Sequence, residues 1–138
     1  MKQHATENTV TTVKLPALLG NHSVTDNEMI MLKNFFMNWY AIDTIQNLYI
    51  EYKLVNNCDV YRMVMNAVFP VKGKSYTVPG YFCTKWVVSV SHSNVYYSLI
   101  DEMKTLLANM STKLHPYVAT KGVTRMGKPK IKRRWIIG

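Results

Sequence analysis

Residues 47–69, NLYIEYKLVNNCDVYRMVMNAVF, decide the fold. Leu48, Ile50, Tyr52 and Leu54 alternate with Tyr49, Glu51, Lys53 and Val55. A two-residue period of β-branched and aromatic side chains predicts a strand with two unlike faces. Asn56-Asn57-Cys58-Asp59 is turn chemistry, because Asn and Asp tolerate positive φ and bond their own backbone. A second alternating run follows, with Tyr61, Met63, Met65, Ala67 and Phe69 on one face. Val60, Arg62, Val64, Asn66 and Val68 fall on the other. The two runs and their turn predict a β-hairpin. A helical reading through Ile42, Ile45, Leu48, Tyr49 and Tyr52 competes with it; the turn cluster breaks either version, and composition favours strands.

Upstream, Thr25-Asp26-Asn27-Glu28 matches a capping box, with Val24 and Met29 at the positions of a hydrophobic staple. Met29, Leu32, Phe36, Trp39 and Tyr40 continue at helical spacing. A helix is expected from about Asp26 to Tyr40. Residues 1–23 are polar and aperiodic apart from Leu15–Leu19. They predict an extended arm whose apolar patch docks on a neighbour.

Downstream, Pro70–Ser75 reads as a loop and Tyr76–Val78 as a short strand. Pro79-Gly80 is a turn signal. Tyr81–Ser91 reads as a strand with Phe82, Thr84, Trp86, Val88 and Val90 sharing a face. Ser93 is the expected N-cap of a second helix, about Asn94 to Asn109. Its stripe is Tyr96, Leu99, Ile100, Met103, Leu106, Leu107 and Met110, which should pack on the sheet.

The expected fold class is α+β: a small antiparallel β-meander of three to four strands flanked by an N-terminal and a C-terminal helix. The expected divisions are an arm (residues 1–23), a single domain (24–112) and a basic tail (113–138). Both helices would cover one sheet face and leave the other open.

The chain has 138 residues and a formal net charge of +9. Residues 1–102 carry 8 basic and 8 acidic side chains, so they are neutral; residues 103–138 carry 9 basic and none acidic. Such segregation points to an acidic partner, whereas a charge that only solubilises is interspersed. Lys113, Lys121, Arg125, Lys128, Lys130, Lys132, Arg133 and Arg134 can neutralise phosphates and release counterions. Trp135 can stack on an unpaired base; alternatively, Trp135, Ile136 and Ile137 anchor the segment on a domain or neighbouring subunit. A second candidate surface is the sheet and its loops. There Lys72, Lys74, Lys85 and Arg62 supply charge, and Tyr52, Tyr76, Tyr81 and Trp86 supply rings.

Catalytic chemistry has little to build on. His4, His22, His92 and His115 lack zinc spacing, no phosphate-loop or dinucleotide glycine pattern occurs, and the carboxylates are scattered. His92 beside Ser91 and Ser93 is the nearest approach to a reactive pair. No catalytic residue, metal or cofactor is expected.

Cys58 and Cys83 fit two ordinary thiols in a reducing compartment. Residues 1–14 lack an apolar signal core, and no apolar run approaches the roughly 18–20 residues of a membrane span. The slant toward Met, Tyr and Asn hints at an AT-rich, viral type of genome. The expected location is therefore intracellular, in cytoplasm or nucleus, or in a virion.

The helix–strands–helix order resembles double-stranded-RNA-binding domains in element order. That family's basic motif at the start of the second helix is absent, because the chain reads Ser93-Asn94-Val95-Tyr96-Tyr97 there, and no residue role is carried over. A β-meander followed by a helix is similar to small single-strand-binding folds on the same terms. Two readings emerge. One is a non-enzymatic binder of RNA or single-stranded DNA. The other is a self-assembling coat or nucleocapsid type of subunit whose basic arm faces packaged genome. A homo-oligomer is expected, and no membrane partner.

Overall fold

The computed structural model describes residues 6–71, 73–90 and 92–113, with the side chains of 110–113 excepted. Among these residues the chain is α+β, with two helices and two antiparallel sheets. The elements are β1 (Thr11–Thr12), β2 (Ala17–Leu19), β3 (His22–Val24), α1 (Asp26–Trp39), β4 (Thr44–Val55), β5 (Cys58–Pro70), β6 (Thr77–Cys83), β7 (Val87–Val88) and α2 (Val95–Lys113). The larger sheet runs β1-β4-β5-β6, with β7 also paired to β5, and β2 and β3 form a separate hairpin. The strands exceed the three or four expected, because short segments at 11–24 and 87–88 pair without the alternating apolar pattern that announces a long strand.

The central hairpin follows the pattern of its sequence. Val55 pairs with Cys58, and the two linking residues, Asn56 and Asn57, have φ of 51° and 64°. Positive φ at both positions is the type I′ geometry, whose twist matches that of the strands. Tyr52 lies opposite Tyr61, Ile50 opposite Met63 and Leu48 opposite Met65. Gln46 is the extra residue where the register shifts between Ile45 and Asn47, so Ile45 returns to the core side.

The core lies between this sheet face and the two helices. Tyr61, Met63, Met65, Ala67 and Phe69 are all buried, as are Met29, Leu32 and Phe36 of α1 and Tyr96, Leu99, Met103 and Leu107 of α2. All belong to one hydrophobic cluster. Full burial of side chains this size contributes about 1.5–3 kcal/mol each. α1 packs on β4, and α2 packs across β5, β6 and β7.

α1 begins as its sequence predicts. The Glu28 N–H donates to the Thr25 hydroxyl and the Thr25 N–H to the Glu28 carboxylate, each at 3.2 Å. The staple residues Val24 and Met29 are both buried in the core cluster. α2 starts one residue later than expected: Asn94 is its cap, accepting from the Tyr97 N–H at 3.2 Å. Ser93 is not the cap, because its hydroxyl is bonded to the N–H and carbonyl of Val90.

The stretch expected as an arm is extended but paired. Thr11 and Thr12 lie opposite Tyr52 and Glu51. Val13, Leu19 and Val24 are buried in the shared core, so the apolar patch docks on its own domain. At the β2–β3 turn the Asn21 N–H donates to the Ser93 carbonyl at 2.8 Å and its side-chain amide to the His92 carbonyl at 3.2 Å. His22 stacks on Tyr96, with centroids 5.3 Å apart, and its Nε2 lies 2.8 Å from the Glu28 carboxylate. Three distant segments are thereby joined.

Two further expectations are corrected. Pro79-Gly80 is not a turn. It lies inside β6, opposite Val68 and Ala67. β6 is an edge strand, where a missing N–H can face outward without breaking the ladder. Gly80 is covered by two core rings: a Cβ there would meet Phe69 at 2.8 Å and Phe82 at 2.9 Å. The run 81–91 is also not one strand. β6 ends at Cys83, and Thr84 closes its ladder. The Thr84 N–H donates to the Met63 carbonyl at 3.0 Å, and its hydroxyl accepts from the Met63 N–H at 2.9 Å. The chain then kinks before β7 pairs with Val60 and Tyr61. Phe82 is buried in the core, whereas Trp86 reaches side chains of the opposite face. No helix among the described residues is long and apolar enough to cross a membrane.

Candidate nucleic-acid interface

The second sheet face is built from the alternate residues of the same strands. In register it carries Tyr49, Val64 and Cys83 in one row, Glu51 and Arg62 in the next, then Lys53 and Val60. Asn66 and Tyr81 form the row on the other side. All the buried residues of both helices belong to the core on the first face. Val64, on the central strand, is nonetheless fully buried.

Two cations of this face gather on Trp86. Lys53 Nζ and Arg62 Cζ each lie 4.4 Å from its ring centroid. Arg62 Nε also donates to the Glu51 carboxylate at 2.7 Å. Partial burial alone would lower the Arg62 pKa; the bonded Glu51 carboxylate outweighs it, and the guanidinium stays charged. Tyr81, on the edge strand, is 57% exposed. The Tyr49 and Tyr81 hydroxyls are both pushed up by desolvation, with Cys83 close to each, so both rings stay neutral. Cys83 and Cys58 are free thiols. The face thus offers two cations, one of them balanced by Glu51, and three rings.

The residues singled out in the sequence divide three ways. Lys121, Arg125, Lys128, Lys130, Lys132, Arg133, Arg134, Trp135 and Lys72 lie outside the described residues, as does the side chain of Lys113, the last residue of α2. Lys74 is exposed in the loop before β6. Lys85 is exposed but lies on the helix side, 3.4 Å from Glu102 of α2, so it does not join Arg62. Of the rings, Tyr81 and Trp86 lie on the second face and Tyr76 is exposed beside β6. Tyr52 is core: it is 1% exposed and donates to Asp59 at 2.8 Å, so it offers no stacking surface.

Lys53 and Tyr49 were not singled out as site residues. Their signal was the alternation of β4 itself, which sets Tyr49, Glu51 and Lys53 opposite the core residues Ile50 and Tyr52.

Elsewhere, a groove of about 520 Å³ opens between α1 and β4, with Lys14, Asp26 and Lys33 at its mouth. Among the described residues no three His, Cys, Asp or Glu side chains group to hold a metal ion. Comparison with family models, with curated proteins and with solved structures finds no match.

Proposed function

We propose that the protein is a non-enzymatic binder of RNA or single-stranded DNA that holds the phosphate backbone through its basic segment, residues 113–138. The observation that carries this reading is the segregation of charge. Residues 1–102 balance to zero, while residues 103–138 carry 9 basic side chains and no acidic one. Clustered lysines and arginines gain from releasing the counterions condensed on a polyanion. Arg133 and Arg134 add bidentate phosphate recognition. The test is the salt dependence of binding to a labelled oligonucleotide, with the full chain set against a variant whose clustered basic residues are neutralised.

A second reading, a self-assembling subunit whose basic segment faces packaged genome, is favoured by the outer face of α1. Met31, Phe35 and Trp39 follow at four-residue spacing on that face; Met31 and Trp39 are 68% and 59% exposed, and Trp39 continues into the ring of Phe35, 5.9 Å away. Apolar side chains gathered on one helix face are commonly covered in an oligomer. Sedimentation of the purified protein separates the two readings: large particles favour assembly, and a small monomer or dimer favours the free binder.

A further inference from the structure

We propose that the sheet face that carries no helix among the described residues is a second contact surface, on which Tyr81 stacks on an unpaired base while Lys53 and Arg62, gathered on the Trp86 ring, hold the backbone of the same single strand. This rests on the nucleic-acid reading above and names the form of nucleic acid that the folded domain takes.

Three observations converge on this face. The first is the placement of Trp86. The ladder closes at Thr84, and the chain kinks so that Trp86 meets the face opposite to the one that buries Phe82. A large ring held only partly buried against two cations forgoes some of the burial it would gain in the core. A surface cation–π contact returns only part of that loss. The second is Tyr81, whose ring is 57% exposed on the edge strand with a neutral hydroxyl. The third is charge. Arg62 answers Glu51 through Nε, which leaves the face one net positive charge from Lys53, Arg62 and Glu51.

The geometry selects a single strand. In a duplex the π-faces are already stacked on each other and only edges and phosphates are offered, whereas an unpaired base presents both faces to aromatic side chains. Tyr81 lies beside Asn66 and Lys53 beside Val60. Those two partners are six residues apart on β5, so the track is about 20 Å long, enough for a few extended nucleotides. RNA and DNA share the chemistry of base face and phosphate.

The experiment uses the full chain with fluorescein-labelled dT12, rU12 and the dA12·dT12 duplex, read by anisotropy across a salt series. The parent is compared with Tyr81→Ala. A Trp39→Phe/Trp135→Phe variant makes the tryptophan emission report on Trp86 alone. Single strands should bind more tightly than the duplex, and the tighter of dT12 and rU12 names the nucleic acid. Tyr81→Ala should weaken single-strand binding about 5- to 150-fold, the loss of one base stack. It should do so without changing the log–log salt slope, and Trp86 emission should change at saturation. Unchanged Trp86 emission, duplex binding equal to single-strand binding, or a Tyr81→Ala affinity within about twofold of the parent would each overturn the inference. If binding then stays salt-steep, the reading of the basic segment survives; if no salt-dependent binding exists, both fall.

Discussion

The backbone of Gly20 packs directly against that of Ser93: a methyl group replacing a glycine hydrogen would lie 2.1 Å from the Ser93 carbonyl oxygen. Gly20 also has φ of 67°, a left-handed conformation costly to other residues. Gly20→Ala should therefore destabilise the protein by on the order of 2 kcal/mol or more. It should loosen the contact between the β2–β3 turn and the start of α2. Urea unfolding checks this, with hydrogen exchange at the Asn21 N–H as the local readout. Wild-type stability would show that the turn does not hold this contact in solution.

The core tyrosines make stability sensitive to alkali. Tyr52 is pushed up to about 12 by burial and by its bond to Asp59; Tyr61 and Tyr96 are pushed up to about 12 by burial, with Asp59 and Glu28 nearby. In the unfolded chain each loses its proton near 10. Above that pH the unfolded state binds fewer protons than the folded one, so stability falls as pH rises from 10 toward 12 and is fully present below 10. Tyr52→Phe should flatten part of that fall and lower stability at neutral pH by about 1 kcal/mol, the worth of its hydrogen bond. Thermal melts from pH 7 to 11.5 measure both effects.

Asn57 sits at φ 64° in the two-residue turn that joins the long strands. Asn tolerates that region, whereas a β-branched side chain does not. Asn57→Val should cost about 1–3 kcal/mol, while Asn57→Gly should leave stability equal or higher. Chemical denaturation of the pair gives the sign.

Met31 and Trp39 are exposed on α1. Replacing both with Lys should change the stability of the folded unit by no more than about 0.5 kcal/mol. If α1 forms an assembly interface, the same variant should lower the sedimentation coefficient of the wild-type particle. An unchanged coefficient would remove α1 from any such interface.

Much of this fold was legible because it depends on neighbours in sequence. The Thr25–Glu28 capping box, the Asn56-Asn57 turn and the alternation through Tyr61, Met63 and Met65 are local patterns with local physical causes. Pro79-Gly80 misled because the dipeptide favours a turn in isolation. Only its place on an edge strand, beneath Phe69 and Phe82, makes it a strand residue. The pairing of Thr11 with Tyr52 spans some forty residues and leaves no periodic trace. The same holds for the site. Arg62, Tyr81 and Trp86 could be picked by type. The convergence of Lys53 and Arg62 on Trp86 depends on a register and a kink at Thr84 that no single stretch encodes.

The central claim is that the basic segment holds phosphate. Its most direct measure is the slope of log affinity against log salt for a single-stranded oligonucleotide. With about six phosphates neutralised, the slope of the full chain should be roughly −4 to −5. Changing Lys128, Lys130, Lys132, Arg133 and Arg134 to Gln should bring it to roughly −1. A full-chain slope near zero, or one left unchanged by those five substitutions, would contradict the account.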